Sequence, residues 1–264
     1  MILKVTGLTA ALRNSHTPLI KGISFTLRRG EVLGLLGESG SGKSLTALAI
    51  AGLLPGAIYA GGSVLLNNRE IIGAPERDLV NIRGRDVSIV FQEPTAALDP
   101  LMKTGRQIAL PLQKYSGLGG AKLRDAVFAL MEEVALSDIE RIAASFPHEL
   151  SGGQRQRVAI ALALACSPKL LIADEPTSST DASIRKQLVE LIYDTAAKRG
   201  IAVLFISHDI GVVHKISGRI MVMKNGLIVE EGDGGEIIRN PQNEYTRLLV
   251  SAARKLSISA KRGA

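Results

Sequence analysis

Tryptophan is absent, aromatic residues make up only 3% of the 264 positions, and there is a single cysteine. A core without rings must be filled by aliphatic side chains, and a 46% hydrophobic content is ample to bury one large domain or two interlocked ones. One thiol can form no internal disulfide and no cysteine metal centre. Cys166, at the end of the apolar run Val158 to Ala165, therefore reads as a small buried hydrophobe. No apolar stretch reaches the roughly 20 residues of a membrane-spanning helix. The longest are Ala47 to Leu54 and Val158 to Cys166, so any membrane-embedded part is expected in another chain. The start, Met1-Ile2-Leu3-Lys4-Val5-Thr6-Gly7, also lacks the charged opening, apolar stretch and cleavage site of a secretory signal, and a cytoplasmic protein is expected.

Glycine is plentiful, at 27 residues, which suits a chain with many tight turns. The formal charge is +7. Such a balance fits nucleic acid, an anionic leaflet or simply a solvated face. Lys and Arg are scattered, with local enrichment only at Arg254, Lys255, Lys261 and Arg262, in a polar tail of the kind that is usually disordered.

Ile2 to Val5 and Ile23 to Leu27 alternate as half-exposed strands do, whereas Val32 to Leu36, Leu170 to Ala173 and Ala202 to Ile206 are short apolar runs typical of buried strands. Each buried run precedes a helical pattern: Ser44 to Leu54, Ile184 to Lys198, and Gly211 to Lys215. Strand–helix alternation of this kind predicts an α/β fold with a parallel sheet covered by helices. Residues 95–165 carry helical periodicity, as in Leu123 to Val134 and Arg155 to Ala165, with little strand character. Lys224-Asn225-Gly226 between two alternating segments predicts a hairpin with an Asn-Gly turn.

Gly37-Glu38-Ser39-Gly40-Ser41-Gly42-Lys43-Ser44 follows a buried strand and opens a helix, the context a phosphate-binding loop needs. Glycines let successive N–H groups face phosphate oxygens, and the helix N-terminus adds donors and a favourable dipole. Lys43 offers a point charge to β- and γ-phosphates, and the Ser44 hydroxyl suits Mg²⁺. Leu170 to Ala173 runs into Asp174-Glu175. Asp174 suits a Mg²⁺ ion, directly or through water, while Glu175, on the alternate face, is suited to orient or deprotonate an attacking water. Leu150-Ser151-Gly152-Gly153-Gln154 is a second Ser/Gly-rich helix start suited to an anion.

Together these strings resemble the ATP-binding cassette family over nearly the whole chain. The resemblance implies a P-loop NTPase (RecA-like) core with an antiparallel β subdomain and an inserted α-helical subdomain, in one cassette. The expected boundaries are 1–94 for the core with the phosphate loop, 95–165 for the helical subdomain ending in the signature, 166–232 for the rest of the core, and 233–264 for a C-terminal extension. It also implies ATP and Mg²⁺ as ligands, and that Ser151, Gly152, Gly153 and Gln154 act in trans on ATP held by an opposing subunit. Two phosphate-seeking loops with only one metal-binding acid pair suit such a dimer. By the same resemblance Gln92 senses Mg²⁺ and the γ-phosphate, His208 is the switch histidine, and Asp181 is the D-loop aspartate crossing the dimer interface. Ser178-Ser179-Thr180-Asp181 departs from that pattern, which has an apolar residue before the aspartate. No aromatic precedes Phe25 to stack on adenine, leaving Leu12, Arg13 or His16 to cover the base.

The segment from Gly61-Gly62-Ser63 through Ile82-Arg83-Gly84-Arg85 to Phe91-Gln92-Glu93-Pro94 and Ala97-Leu98-Asp99-Pro100, with Asn240 to Leu249, looks like the peptide and nickel importer branch. The lack of a C-terminal extension with a cysteine cluster favours nickel or metallophore uptake. The partners implied are a second, different ATP-binding subunit, two transmembrane permease subunits and, indirectly, an extracellular binding protein. The chain would sit peripherally at the cytoplasmic face of the membrane, with no nucleic acid expected. The alternative is a non-transport cassette ATPase acting on nucleic acid or ribosomes; the absence of an inserted coiled coil, a zinc module or a second cassette argues against it.

Overall fold

The computed structural model describes residues 1–15, 17–177 and 182–262. Two compact units divide the chain, one formed by Met1–Leu79 with Ala202–Ala264, the other by Val80–Ile201. The first stretch contains β1 (Leu3–Leu12), β2 (Pro18–Leu27), β3 (Val32–Leu36), α1 (Lys43–Ile50), β4 (Ile58–Leu66) and β5 (Arg69–Glu70), and ends in α2 (Glu76–Ile82). The second unit follows with β6 (Val87–Val90), α3 (Thr104–Ser116), α4 (Gly120–Glu133), α5 (Ile139–Ala144), α6 (Gly152–Leu164), β7 (Leu170–Asp174) and α7 (Ala182–Arg199). The chain then returns through β8 (Ala202–Ser207), α8 (Ile210–Ile216), β9 (Arg219–Lys224), β10 (Leu227–Asp233), α9 (Gly234–Arg239) and α10 (Glu244–Arg262).

In the first unit, β2-β1-β4-β5 form an antiparallel sheet, with Leu3 opposite Leu27 on one side and Leu66 on the other. Its alternating burial follows from one face packing on the core and the other meeting water. A second sheet in this unit has the order β10-β9-β3-β8, with β3 parallel to both β8 and β9. Every residue of β8 is buried, as expected for a strand covered on both faces. Gly34 lets α8 approach β3: a Cβ there would lie 2.2 Å from Val213 Cγ1. The hairpin between β9 and β10 turns on Asn225 and Gly226, both with positive φ (49° and 82°), the backbone of a type I′ turn.

In the second unit, β6 and β7 pair in parallel, with Val90 opposite Ala173. α6 is buried along most of its length, from Val158 to Leu164, and packs against α3, α4 and α7. Arg199 closes the unit by donating from Nε to Glu133 at 2.8 Å and from a terminal nitrogen to the Leu164 carbonyl at 3.0 Å.

Three elements differ from the sequence pattern. β4 does not read as a strand because Gly61-Gly62 interrupts it and its first half is only half-buried. β6 has only four residues, too few to establish a period. The basic tail continues as helix α10 to Arg262; the segment contains no Gly or Pro, and its Leu, Ala, Lys and Arg residues are strong helix formers.

Candidate functional site

Leu36 lies opposite Ser207 in the parallel β3–β8 pair, so Gly37 and His208 leave the sheet side by side at its carboxyl end. This is the edge where open parallel sheets take ligands. From Gly37 the chain loops back over itself into α1, using left-handed backbone at Gly40 (φ 79°) and Gly42 (φ 108°). Gly42 caps α1 without a side chain, so no side chain shields the amides that open the helix.

Lys43 is curled into this loop and is only 4% exposed. Its ammonium donates to the carbonyls of Gly37 (2.8 Å) and Glu38 (2.9 Å). Ser41 is 5% exposed, and its hydroxyl has no hydrogen-bond partner among the described residues. A buried ammonium held only by neutral carbonyls, a buried hydroxyl without a partner and a helix N-terminus together favour a bound anion, which would balance the charge and the dipole and satisfy the hydroxyl.

The loop is braced from outside. Gly226, in the β9–β10 turn, donates its N–H to the Ser41 carbonyl at 2.9 Å. Gly37 sits so close to β9 that a Cβ would fall 2.3 Å from the Met223 carbonyl oxygen. The Glu38 N–H donates to the Tyr245 hydroxyl at 3.0 Å, bringing α10 against the loop. His208 is exposed, and both of its neighbours are pinned. The Asp209 N–H donates to Ser207 Oγ at 3.0 Å, and Asp209 Oδ1 caps α8 by accepting from the Gly211 and Val212 N–H groups at 2.9 and 3.3 Å.

The second unit holds the remaining candidates. Register places the ends of β6 and β7 together, so Gln92, just beyond β6, and Asp174-Glu175 emerge at one edge. Asp174 is 8% exposed and ends β7. Glu175 has φ 46°, an unusual backbone for a non-glycine residue, so its direction is set by this turn and not by strand alternation. Such a residue carries about 1–3 kcal/mol of strain and persists where the surroundings hold it.

Ser151 begins α6 with a reciprocal cap. Its Oγ accepts from the Gln154 N–H at 3.2 Å, and Gln154 Oε1 accepts from the Ser151 N–H at 3.1 Å. Gly152 needs no room for a side chain and is exposed beside this cap, so the helix opening is accessible. Arg155 ties the same turn down by donating to the Leu150 carbonyl at 2.8 Å.

Of the residues suggested for the base, Leu12 is exposed and Arg13 is anchored, its Nε donating to the Gly56 carbonyl at 2.7 Å. His16, Thr180 and Asp181 lie outside the described residues. Sequence reasoning missed the supporting shell: Ser207, Gly226 and Tyr245. Tyr245 had a signal, because it falls in the Asn240 to Leu249 segment singled out for its pattern.

The family model described as ABC transporter matches residues 20–178. The chain belongs to the ABC transporter family. The peptidoglycan transport ATP-binding protein YejF of Agrobacterium fabrum is 42% identical over 96% of this chain. The chain spans 47% of that protein's length. The metal-staphylopine import system ATP-binding protein CntD of Staphylococcus aureus is 36% identical, with 97% of this chain and 94% of that protein covered. Other relatives are named oligopeptide transport ATP-binding proteins. Among solved structures, a dimeric post-hydrolysis state of the ATP-binding cassette MJ0796 bound to ADP and Pi superposes with a TM-score of 0.79 and 30% identity, covering 88% of this chain and 98% of that one. The ABC chain is thus a P-loop α/β cassette that binds and hydrolyses ATP. Among its described residues no helix is long and apolar enough to cross a membrane.

Proposed function

We propose that this ABC ATPase energises uptake of peptides or metal–metallophore complexes, working as one of two nucleotide-binding subunits beneath a pair of membrane permease subunits. The observation that carries the dimeric part is chemical: two anion-directed helix starts, at Gly37–Ser44 and at Ser151–Gln154, accompany a single acid pair suited to a metal at the end of a buried strand, Asp174-Glu175. If each Ser151–Gln154 turn completes the partner's ATP site, every element has a use. The transport part is supported by relatives named for oligopeptide transport and for metal-staphylopine import. A second ATP-binding subunit of different sequence, a binding protein outside the membrane and a peripheral position at the cytoplasmic face belong to the same proposal, as does the arrangement of the chain as core, helical insert, core and C-terminal extension.

In this reading Gly37 to Ser44 wrap the phosphates of ATP, with Lys43 turning from the Gly37 and Glu38 carbonyls to the β- and γ-phosphates. Ser44, Gln92 and Asp174 are hard oxygen donors of the type Mg²⁺ takes, together with phosphate oxygens. The ion would neutralise charge developing on the transferred phosphoryl group. Glu175 orients the attacking water and receives its proton, and His208 contacts the γ-phosphate, its backbone position fixed through Ser207 and Asp209. Asp181 is assigned to the partner-facing D-loop on its sequence position alone.

The test is Glu175→Gln, assayed with whichever partner subunit co-purifies. ATP binding is expected to persist, with a nucleotide-bound dimer accumulating by size-exclusion chromatography, while turnover falls by at least about a hundredfold, the usual scale for losing a general base. Hydrolysis close to the unsubstituted rate would remove Glu175 from its assigned role.

A further inference from the structure

The Gly37–Glu38 peptide group is held at both ends. Its carbonyl accepts from the Lys43 ammonium at 2.8 Å, inside the loop, and its N–H donates to the Tyr245 hydroxyl at 3.0 Å, outside it. Tyr245 lies 207 positions away in sequence and is 5% exposed. It cannot drift, because its own N–H donates to Asn243 Oδ1 at 2.9 Å and its ring sits under the Lys224 ammonium, 4.6 Å from the centroid. Asn243 is anchored in turn: Glu230 on β10 accepts from the N–H groups of Gln242 (2.8 Å) and Asn243 (3.1 Å). Burial raises the Tyr245 pKa further above physiological pH, and the neutral hydroxyl accepts the amide hydrogen bond through an oxygen lone pair.

We infer that Tyr245 is a positioning residue for ATP binding, fixing the peptide plane that aims Lys43 and thereby making phosphate affinity depend on the seating of the C-terminal helix. The inference rests on reading Gly37–Ser44 as the ATP site. The physical reason is that hydrogen bonds through one peptide group reinforce each other. An N–H engaged by Tyr245 makes the Gly37 carbonyl a better acceptor and stops the peptide from rotating. When ATP enters, Lys43 exchanges carbonyl for phosphate oxygens across a short distance from a prepared start. Without the hydroxyl, the peptide rotates and this preorganisation is lost.

The test compares the full chain with Tyr245→Phe in equilibrium titrations of ATP and inorganic tripolyphosphate, alongside steady-state kinetics. A neutral hydrogen bond of ordinary strength corresponds to a roughly three- to ten-fold weakening. Tyr245→Phe is expected to raise the Kd of both ligands by that factor, with KM rising more than kcat falls. Phenylalanine keeps the ring and the Lys224 contact, so a residue that only packs would leave both Kd values unchanged. Asn243→Ala, which keeps Tyr245 but releases its helix, is expected to weaken both ligands in the same direction. Wild-type affinity in Tyr245→Phe would overturn the inference whatever Asn243→Ala does, as would a loss for ATP but not for tripolyphosphate. Failure of the unsubstituted chain to bind ATP would instead sink the underlying site assignment, so the two failures are distinguishable.

Discussion

Gly37 shows how little latitude the phosphate loop has. It must turn away from β3 while passing β9, and the space a side chain would need is taken by backbone, with the Met223 carbonyl 2.3 Å and Ser41 Oγ 2.7 Å from an added Cβ. A hydroxyl can rotate away, but a strand carbonyl cannot. Gly37→Ala is therefore expected to push the loop off its bracing, costing about 1–3 kcal/mol of stability, as overpacking does. A lowered denaturation midpoint together with weakened ATP binding would be the signature, and an unchanged midpoint would contradict it. Glu175 presents the opposite case. Its left-handed backbone is tolerated rather than optimal, which fits a residue kept for what its carboxylate does.

Among the elements, α10 is the one whose docking is most open to control. Its start is attached to β10 through Glu230, whose carboxylate accepts two amide N–H groups. Burial pushes the Glu230 pKa up, but the neighbouring Thr246 hydroxyl, these two amide hydrogen bonds and the Arg247 charge outweigh it and leave the net value lowered. The sign follows directly: a carboxylate whose folded pKa is depressed contributes stability that is present above its unfolded pKa and lost as pH falls through the folded one. Acidification below the ordinary carboxylate range is expected to loosen the first turn of α10. Hydrogen exchange of the Tyr245 to Arg247 amides, corrected for intrinsic rates, should speed up there, and Glu230→Gln should abolish that pH dependence. α6 contrasts with this, since its reciprocal Ser151–Gln154 cap involves only neutral groups and has no reason to respond to pH.

At the scale of the whole molecule, the exposed opening of α6 is the feature to which the proposed second subunit gives a use. Ser151→Arg adds a long cation to an accessible helix start, where it opposes the positive end of the dipole and obstructs an approaching phosphate. It is expected to leave ATP affinity of the isolated chain within about two-fold, since the Gly37–Ser44 loop keeps its own sequence and bracing, while abolishing ATP-dependent dimerisation. Light scattering with the Glu175→Gln background would read this, and loss of ATP binding by the monomer would argue that the turn acts in cis. The solved cassette that this chain resembles is itself dimeric with ADP and Pi bound, which makes the experiment a direct one.

The residues proposed to carry the chemistry were legible in the sequence because phosphate loops, acid pairs at strand ends and capped helix starts are local patterns. Their geometry is imposed by a few consecutive residues, and so Val32–Leu36, Gly37–Ser44, Asp174-Glu175 and Ser151–Gln154 lie on the elements their spacing indicated. The buried strands were legible for the same reason, whereas β4 and β6 were not, one being broken by glycines and the other too short to show a period. Only tertiary structure decided what holds the loop. The contacts of Glu38 with Tyr245, Ser41 with Gly226 and Gly37 with Met223 join residues about 180 to 210 positions apart. No periodicity encodes such meetings, because they arise when parallel strands bring distant segments to one edge and packing excludes the alternatives.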